Sequence, residues 1–310
     1  MARPRNRYVD YLQYLLVRLF AMFAFMFDVR VTYRTARWVG EVIWRFDRRH
    51  REIACRQLRL SFPHWSDDRV RRVARKSIHN MLYLAVEIIF TPRLVKPNTW
   101  RRHIRLHNMA ENLRLMVRRD TGLIMLSGHF GNWEVVSYMM ATLDFPTVSV
   151  ARPLANPYLN EFILGVRERT GQSILYKKGA TAGMSEVLSG RGILAFMADQ
   201  DAGRKGLYVD FFGRPASTYR SIALMAIRHN VPVVVGYGKR LGGGYRFEVG
   251  IARIIHPREW ADKEDEPTWI TQEFTRELEK VVRQSPEQYL WLHRRWKHRP
   301  DGSKAPDGVA

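Results

Sequence analysis

Residues 123–141 read LIMLSGHFGNWEVVSYMMA, and this stretch decides the fold. It opens with four apolar residues and reaches Ser127-Gly128, a pattern typical of a buried strand that ends in a turn. Asn132 is a good helix N-cap and precedes a segment with an apolar face, so a helix is predicted to begin there. A strand, a short turn and a helix in succession form the building unit of an α/β sheet.

Similar apolar runs recur along the chain after Pro97 and alternate with helical segments. This alternation predicts an α/β fold with a mixed, mostly parallel sheet flanked by helices. The other strand candidates are residues 147–151, 174–176, 193–198 and 231–237, and residues 246–254 are predicted to add an antiparallel strand after the glycines 242–244. Residues 30–95 and 267–284 are predicted to be helical, the former with a helix that starts at the capping candidates Ser66 and Asp67.

The N-terminal region predicts a membrane anchor. Residues 8–29 are mostly apolar but contain Asp10, Gln13 and Arg18, and the longest uninterrupted run, residues 19–27, is too short to span a bilayer. A tilted span, an interfacial helix flanked by arginines and a buried core helix all fit this pattern. The predicted organisation is therefore an anchor over residues 1–29, a helical region over 30–97, a catalytic α/β domain over 98–300 and a disordered tail over 301–310.

The composition narrows the classes of partner and site. The formal net charge is +21, which attracts nucleic acid, an anionic membrane surface or an acidic carrier protein, and charge alone does not choose among them. The single cysteine, Cys55, excludes an internal disulfide and a multi-thiolate metal site. The sequence contains no G-x-S-x-G elbow, no phosphate-binding loop and no H-E-x-x-H motif, so no metal site is predicted.

His129 and Glu134 form the candidate catalytic pair. On one continuous helix they would lie about 140° apart, but a turn before the helix lets the carboxylate fold back onto the imidazole. A carboxylate on one ring nitrogen fixes the tautomer and leaves the other nitrogen to deprotonate a hydroxyl that attacks a thioester carbonyl. The backbone N–H groups of Gly131 and Asn132 are candidates to stabilise the oxyanion that forms.

Several ordered motifs carry a family resemblance that covers nearly the whole chain. They are RQLRLSFP (56–63), SGHFGNWE (127–134), Arg152-Pro153, ADQD (198–201), FFGRPAST (211–218) and PEQYLWLHRRWKHRP (286–300). The chain thereby resembles the late acyltransferases of bacterial lipid A biosynthesis and the related mycobacterial phosphatidylinositol mannoside acyltransferases, which share an H-x4-D/E dyad. Gln57 departs from the asparagine usual in that family.

The resemblance implies a glycerolipid acyltransferase-like fold, with His129 as general base and Glu134 as its charge-relay partner. It also implies a substrate-binding role near the site for Arg152, for which an ordinary surface charge is the alternative. Asp199 and Gln200, which follow a predicted strand, are assigned similar roles. Asp199 and Gln200 would support the dyad or bind the acceptor headgroup, although a strand-end cap fits equally. The resemblance further suggests that the loop 203–213 shapes the site and that Arg294, Arg295 and Lys297 bind phosphates. In the alternative, Trp291 and Trp296 mark a packed, interfacial helix end.

The function expected on these grounds is membrane-associated O-acyl transfer. The acyl thioester donor is an acyl carrier protein or coenzyme A derivative, the acceptor is a hydroxyl of a membrane glycolipid or phospholipid, and no cofactor is expected. The expected location is the bacterial inner membrane at an anionic surface, with the site facing the cytoplasm and without a nucleic-acid partner. The alternatives are thioester hydrolysis and a basic lipid- or nucleic-acid-binding protein without catalysis.

Overall fold

The computed structural model describes residues 6–151, 153–168, 172–176 and 180–301, without the side chains of Val166 and Ala180. Two predictions fall outside these ranges. The role expected of Arg152 concerns a residue that is not described, and the predicted tail 301–310 is described only at Asp301.

Helices and strands follow one another in the predicted alternation after an all-helical N-terminal third. The helices are α1 (Arg7–Ala24), α2 (Val29–Phe46), α3 (Arg48–Ser61), α4 (Asp67–Leu94), α5 (Ala110–Arg118), α6 (Trp133–Thr142), α7 (Pro157–Glu168), α8 (Ala180–Ser189), α9 (Arg220–His229) and α10 (Glu266–Gln284). The strands are β1 (Ile104–His107), β2 (Leu123–Ser127), β3 (Thr147–Ala151), β4 (Ser173–Tyr176), β5 (Ile193–Met197), β6 (Leu207–Phe211), β7 (Arg214–Thr218), β8 (Val233–Arg240) and β9 (Phe247–Ile255).

The main sheet has seven strands in the order β1-β9-β8-β2-β5-β3-β4. Neighbouring strands are parallel except for β8 and β9, so the prediction of a mixed, mostly parallel sheet with an antiparallel addition is confirmed. Strand β1, which the sequence did not predict, pairs with β9 at one edge. Its four residues, IRLH, carry two polar side chains and give too weak an apolar signal to mark a strand.

The core lies on both faces of this sheet. One face packs against α4, α5 and α6, with Phe90, Met139 and Met140 buried between them. The other face packs against α8, α9 and α10, with Ile222 and Phe274 fully buried. Strand β2 is buried along its whole length because helices cover it on both sides, and its carboxyl end is therefore held rigidly.

Strands β6 and β7 form a separate antiparallel hairpin. The sequence was interpreted as a loop over residues 203–213, and that interpretation is wrong for β6, which occupies most of its second half. The glycines of this segment favoured the prediction of a loop. Strand β6 packs on α10, where the backbone N–H of Asp210 donates to the Gln272 side chain at 2.7 Å.

Helices α1 and α2 expose apolar side chains. On α1, Leu12, Leu16 and Leu19 are each more than half exposed, and on α2 Trp38 is 67% exposed. No helix within the described residues has both the length and the apolar content needed to cross a bilayer.

Candidate active site

The candidate site lies on the connection between β2 and α6. Strand β2 ends at Ser127, and the side chain of Asn132 caps α6 by accepting a hydrogen bond from the backbone N–H of Val135 at 2.8 Å. The predicted sequence of strand, turn and helix is therefore confirmed. His129 lies in the turn, at the carboxyl edge of the sheet where α/β folds place their sites.

Hydrogen bonds to residues 288–290 hold the turn. The N–H of Gly131 donates to the carbonyl of Gln288 at 2.9 Å, and the N–H of Leu290 donates to the carbonyl of His129 at 3.0 Å. Gly131 has a φ of +57°, and a Cβ atom there would collide with the carbonyl of Gly238. Only glycine therefore fits at this position without moving β8.

The same contacts contradict the expected oxyanion site. The N–H of Gly131 is engaged by Gln288, and the N–H of Asn132 donates to the carbonyl of Gly238 at 2.8 Å. Both donors serve the backbone and are unavailable to a ligand, so that expectation is wrong for these two groups. Among the residues that the structure describes, the N–H groups of Trp133 and Glu134 in the first turn of α6 have no protein acceptor.

Asp199 is the carboxylate in contact with His129. Its Oδ1 lies 2.6 Å from Nδ1 of the imidazole, and its Oδ2 accepts the backbone N–H of His129 at 2.7 Å. Strand register explains this contact, because Ser127 pairs with Met197 and each chain then advances by two residues. Asp199 is 4% exposed, so the pair is shielded from water.

Glu134 does not hydrogen-bond to His129, contrary to the prediction. Its carboxylate instead binds the guanidinium of Arg167 on α7 through two contacts, of which Nε to Oε2 measures 3.1 Å. Asp199 contacts Nδ1 of the imidazole. The other ring nitrogen, Nε2, lies 3.2 Å from the side-chain amide nitrogen of Gln200. Four predicted residues, His129, Glu134, Asp199 and Gln200, therefore lie in one site. The carboxylate that contacts the imidazole is that of Asp199 and not that of Glu134.

Burial and neighbouring charges shift the pKa values of His129 and Asp199 in opposite directions. Burial lowers the pKa of His129, but the adjacent Asp199 carboxylate and the charge of Glu134 raise it by more, so its pKa lies above the ordinary value. Burial raises the pKa of Asp199, yet its contacts with His129 prevail and lower that pKa to about 2. The carboxylate is therefore ionised throughout the physiological range and faces the imidazole as a fixed negative charge.

A cavity of about 200 Å³ opens beside the pair, between α6 and strands β2, β3 and β5. Its wall is largely apolar, with His129, Glu134 and Arg167 among the polar side chains that line it. The apolar lining residues include Met125, Val136, Met140, Val150, Ala195, Phe196 and Met197. This apolar cavity adjoining a histidine and a buried carboxylate suits a hydrocarbon chain attached to a reacting carbonyl group.

A second buried carboxylate, Glu87 of α4, supports the turn from behind. It is 0% exposed and pairs with the guanidinium of Arg240, while the amide of Asn132 donates to it at 2.9 Å. Asn132 is therefore a structural residue and does not bind substrate through its side chain. Glu87 was not predicted as part of the site, although its position inside the apolar run LAVEIIF indicates a buried acidic residue that needs a partner.

Other predicted residues lie away from the cavity. Arg295 is 1% exposed, and its guanidinium donates to the carbonyl of Ser217 and the hydroxyl of Thr218, so it does not meet phosphates. Trp291 and Trp296 are buried in an aromatic cluster, which confirms that they are packed, but both lie in turns and do not mark the predicted helix end. Within the described residues, no three His, Cys, Asp or Glu side chains are grouped so as to hold a metal ion.

The chain is similar in sequence to known acyltransferases. Residues 3–298 match the family described as bacterial lipid A biosynthesis acyltransferase. The lipid A biosynthesis lauroyltransferase of Escherichia coli strain K12 is 25% identical over 278 residues, which are 88% of this chain and 87% of that protein. A lipid A biosynthesis acyltransferase of Haemophilus influenzae is 27% identical over 260 residues, 82% and 79% of the two chains. A phosphatidylinositol mannoside acyltransferase of Mycobacterium tuberculosis is 26% identical over 143 residues, 45% of each chain.

Proposed function

Because the chain belongs to the family of bacterial lipid A biosynthesis acyltransferases, we propose that it transfers a fatty acyl group from an acyl thioester to a hydroxyl of a lipid A-type glycolipid, with His129 as general base. The observation that carries this mechanism is the buried His129–Asp199 pair beside an apolar cavity. The donor is an acyl carrier protein or coenzyme A thioester, and no cofactor takes part.

Asp199 fixes the tautomer of the base. With Nδ1–H donating to the carboxylate, Nε2 carries the lone pair and accepts from the Gln200 amide in the absence of substrate. The acceptor hydroxyl takes the place of that amide and loses its proton to Nε2 as its oxygen bonds to the acyl carbon. The C–S bond then breaks, and the imidazolium returns the proton to the thiolate that leaves.

Glu134 acts by charge within this mechanism. Its carboxylate raises the pKa of His129 without a hydrogen bond to the ring, and Arg167 holds it in place. The negative charges of Asp199 and Glu134 together stabilise the imidazolium that forms in the transition state. The N–H groups of Trp133 and Glu134, at the positive end of α6, are proposed to receive the oxyanion in place of those of Gly131 and Asn132.

The acyl chain occupies the apolar cavity beneath His129. Burial of a hydrocarbon chain there is favourable by about 0.8 kcal/mol per methylene and holds the thioester carbonyl close to the base. The exposed apolar side chains of α1 support attachment to a membrane surface, where the acceptor lipid resides. The proposed location is the inner membrane, with the site on its cytoplasmic side.

The test is a transfer assay with purified protein, a radiolabelled acyl thioester and a lipid A precursor in detergent. His129→Ala is expected to lose at least about 10³-fold in rate while keeping the wild-type melting temperature. Near-normal transfer by that variant would refute the mechanism. Equal thioester consumption with and without the glycolipid would instead identify a hydrolase.

A further inference from the structure

A basic groove of about 890 Å³ lies between α2, α4 and the end of β8, outside the acyl cavity. Arg75 pairs with Glu41 across it. On its floor Arg240 pairs with the buried Glu87, and His79 contacts Glu41 at 2.9 Å. Within the described residues, the other arginines and lysines that line the groove form no ion pair. The cationic residues that define the groove are Arg37, Arg71, Arg72, Arg75, Lys76 and Lys239. Unpaired cations on a concave wall form a positive potential that selects a multivalent anion of matching size.

The floor of the groove touches the catalytic turn. Asn80, Arg240 and Gln288 form this floor, and the Gln288 carbonyl accepts hydrogen bonds from both the Asn80 side chain and the Gly131 N–H, each at 2.9 Å. The Gln288 side chain accepts the N–H of Arg240 at 2.8 Å. A ligand in the groove is therefore separated from the turn that carries His129 only by one layer of hydrogen-bonded residues.

Helix α2 presents two stripes with different chemistry. Val31, Trp38, Val42 and Phe46 recur at helical spacing and are exposed by 37 to 76%. Arg30, Arg34 and Arg37 form a parallel stripe about 100° around the helix and line the basic groove or the cavity of about 320 Å³ that adjoins it. An apolar stripe beside an arginine stripe is the pattern of a helix that lies at a membrane interface with its cations at headgroup depth.

We propose that the basic groove binds the phosphate-bearing headgroup of the acceptor lipid as it emerges from the membrane surface. This inference rests on the proposed function, because it assigns the groove to the acceptor of that reaction. The cations of α4 hold the phosphate, α2 faces the bilayer, and the hydrogen-bonded floor keeps the headgroup beside the catalytic turn. The headgroup and the acyl chain thus approach the turn from different cavities.

An acidic carrier protein is a weaker match to the same groove. A carrier would need charge complementarity but would gain nothing from the exposed apolar stripe of α2, whereas a lipid headgroup uses both features. The groove is also concave and continues lengthwise along α2 into the second cavity, which suits a sugar phosphate that projects from a bilayer.

The experiment compares two double variants that remove the same charge. Arg72→Gln/Lys76→Gln neutralises two groove residues four apart on α4, and Arg114→Gln/Arg118→Gln neutralises two exposed arginines four apart on α5. Each protein is assayed in neutral detergent with a phosphorylated lipid A-type acceptor, with its dephosphorylated form, and with varied acyl thioester donor. Thermal unfolding followed by circular dichroism checks that each variant is folded.

The groove variant is expected to lose about tenfold in its preference for the phosphorylated acceptor, measured as the ratio of kcat/KM for the two acceptors. The α5 variant should keep the wild-type ratio. An unchanged ratio in a folded groove variant, or a rise in KM confined to the acyl carrier donor, would overturn the inference. Absence of transfer by the wild-type protein with either acceptor would count against the proposed function itself, which separates the two failures.

Discussion

Replacement of Asp199 with asparagine separates the roles of the two carboxylates near His129. Asp199 accepts two donors from that residue, the backbone N–H on one oxygen and Nδ1–H on the other. An asparagine has only one oxygen. If that oxygen keeps the contact with the backbone N–H, the NH2 group of the asparagine faces Nδ1. An NH2 group can only donate, so Nδ1 must carry the lone pair and the ring proton moves to Nε2, where the lone pair is needed for catalysis.

The wrong tautomer is expected to reduce kcat by about 10³- to 10⁴-fold, the scale known for this change in a serine protease triad. The pKa of His129 should also fall, because the charge that raises it is lost. The base must be neutral, so the rate of the wild-type protein declines as the pH falls through the raised pKa. In Asp199→Asn the remaining activity should therefore persist to lower pH.

Asp201→Asn is the matched control. Asp201 contacts the N–H and Nδ1 of His298 at 3.3 and 2.6 Å, which repeats the same double contact two residues further along the chain. We expect its kcat to stay within about threefold of wild type. The measurement is kcat/KM between pH 5 and 9 for the three proteins. A normal rate and an unchanged acid limb in Asp199→Asn, or an equal loss in both variants, would refute the assignment of Asp199.

Three further outcomes follow from the geometry. Arg167→Gln removes a cation near the site and should raise the pKa of His129 further, so that the acid limb of the rate profile moves to higher pH. Gly131→Ala should lower the free energy of unfolding by about 2–3 kcal/mol in urea titrations, whereas Gly165→Ala, in open space on α7, should change it by less than about 1 kcal/mol. Ala195→Leu fills part of the acyl cavity and should shift the preferred acyl chain, measured by mass spectrometry of products, about three carbons shorter.

Local patterns predicted the local part of the site. The apolar run of β2, the capping Asn132 and the apolar face of α6 were sufficient to place His129 in a turn at a sheet edge. Hydrophobic period and capping chemistry act over a few residues, so they are visible in one sequence. The antiparallel strand β9 was predictable for the same reason, since three consecutive glycines precede it.

The partner of His129 was not predictable from local patterns. Asp199 reaches it only because β5 lies directly beside β2, although β3 and β4 come between them in the sequence and lie further out in the sheet. Strand order of this kind depends on how all the helices pack, and residue periodicity does not encode it. Glu134 and Arg167 are 33 residues apart in the sequence, so their ion pair was not predictable from local patterns either. This ion pair takes the place of the contact with His129 that was expected because Glu134 is close to it in sequence.

The hydrogen bonds between the catalytic turn and residues 288–290 also set an order of events in the cell. Leu290 leaves the ribosome about 90 residues after Asp199, roughly 5 to 20 s later at usual rates of synthesis. Until then the turn lacks the contacts of Gln288 and Leu290 that fix its backbone. A nascent chain therefore holds its His129 turn in the final backbone geometry only after residues 288–290 have been synthesised.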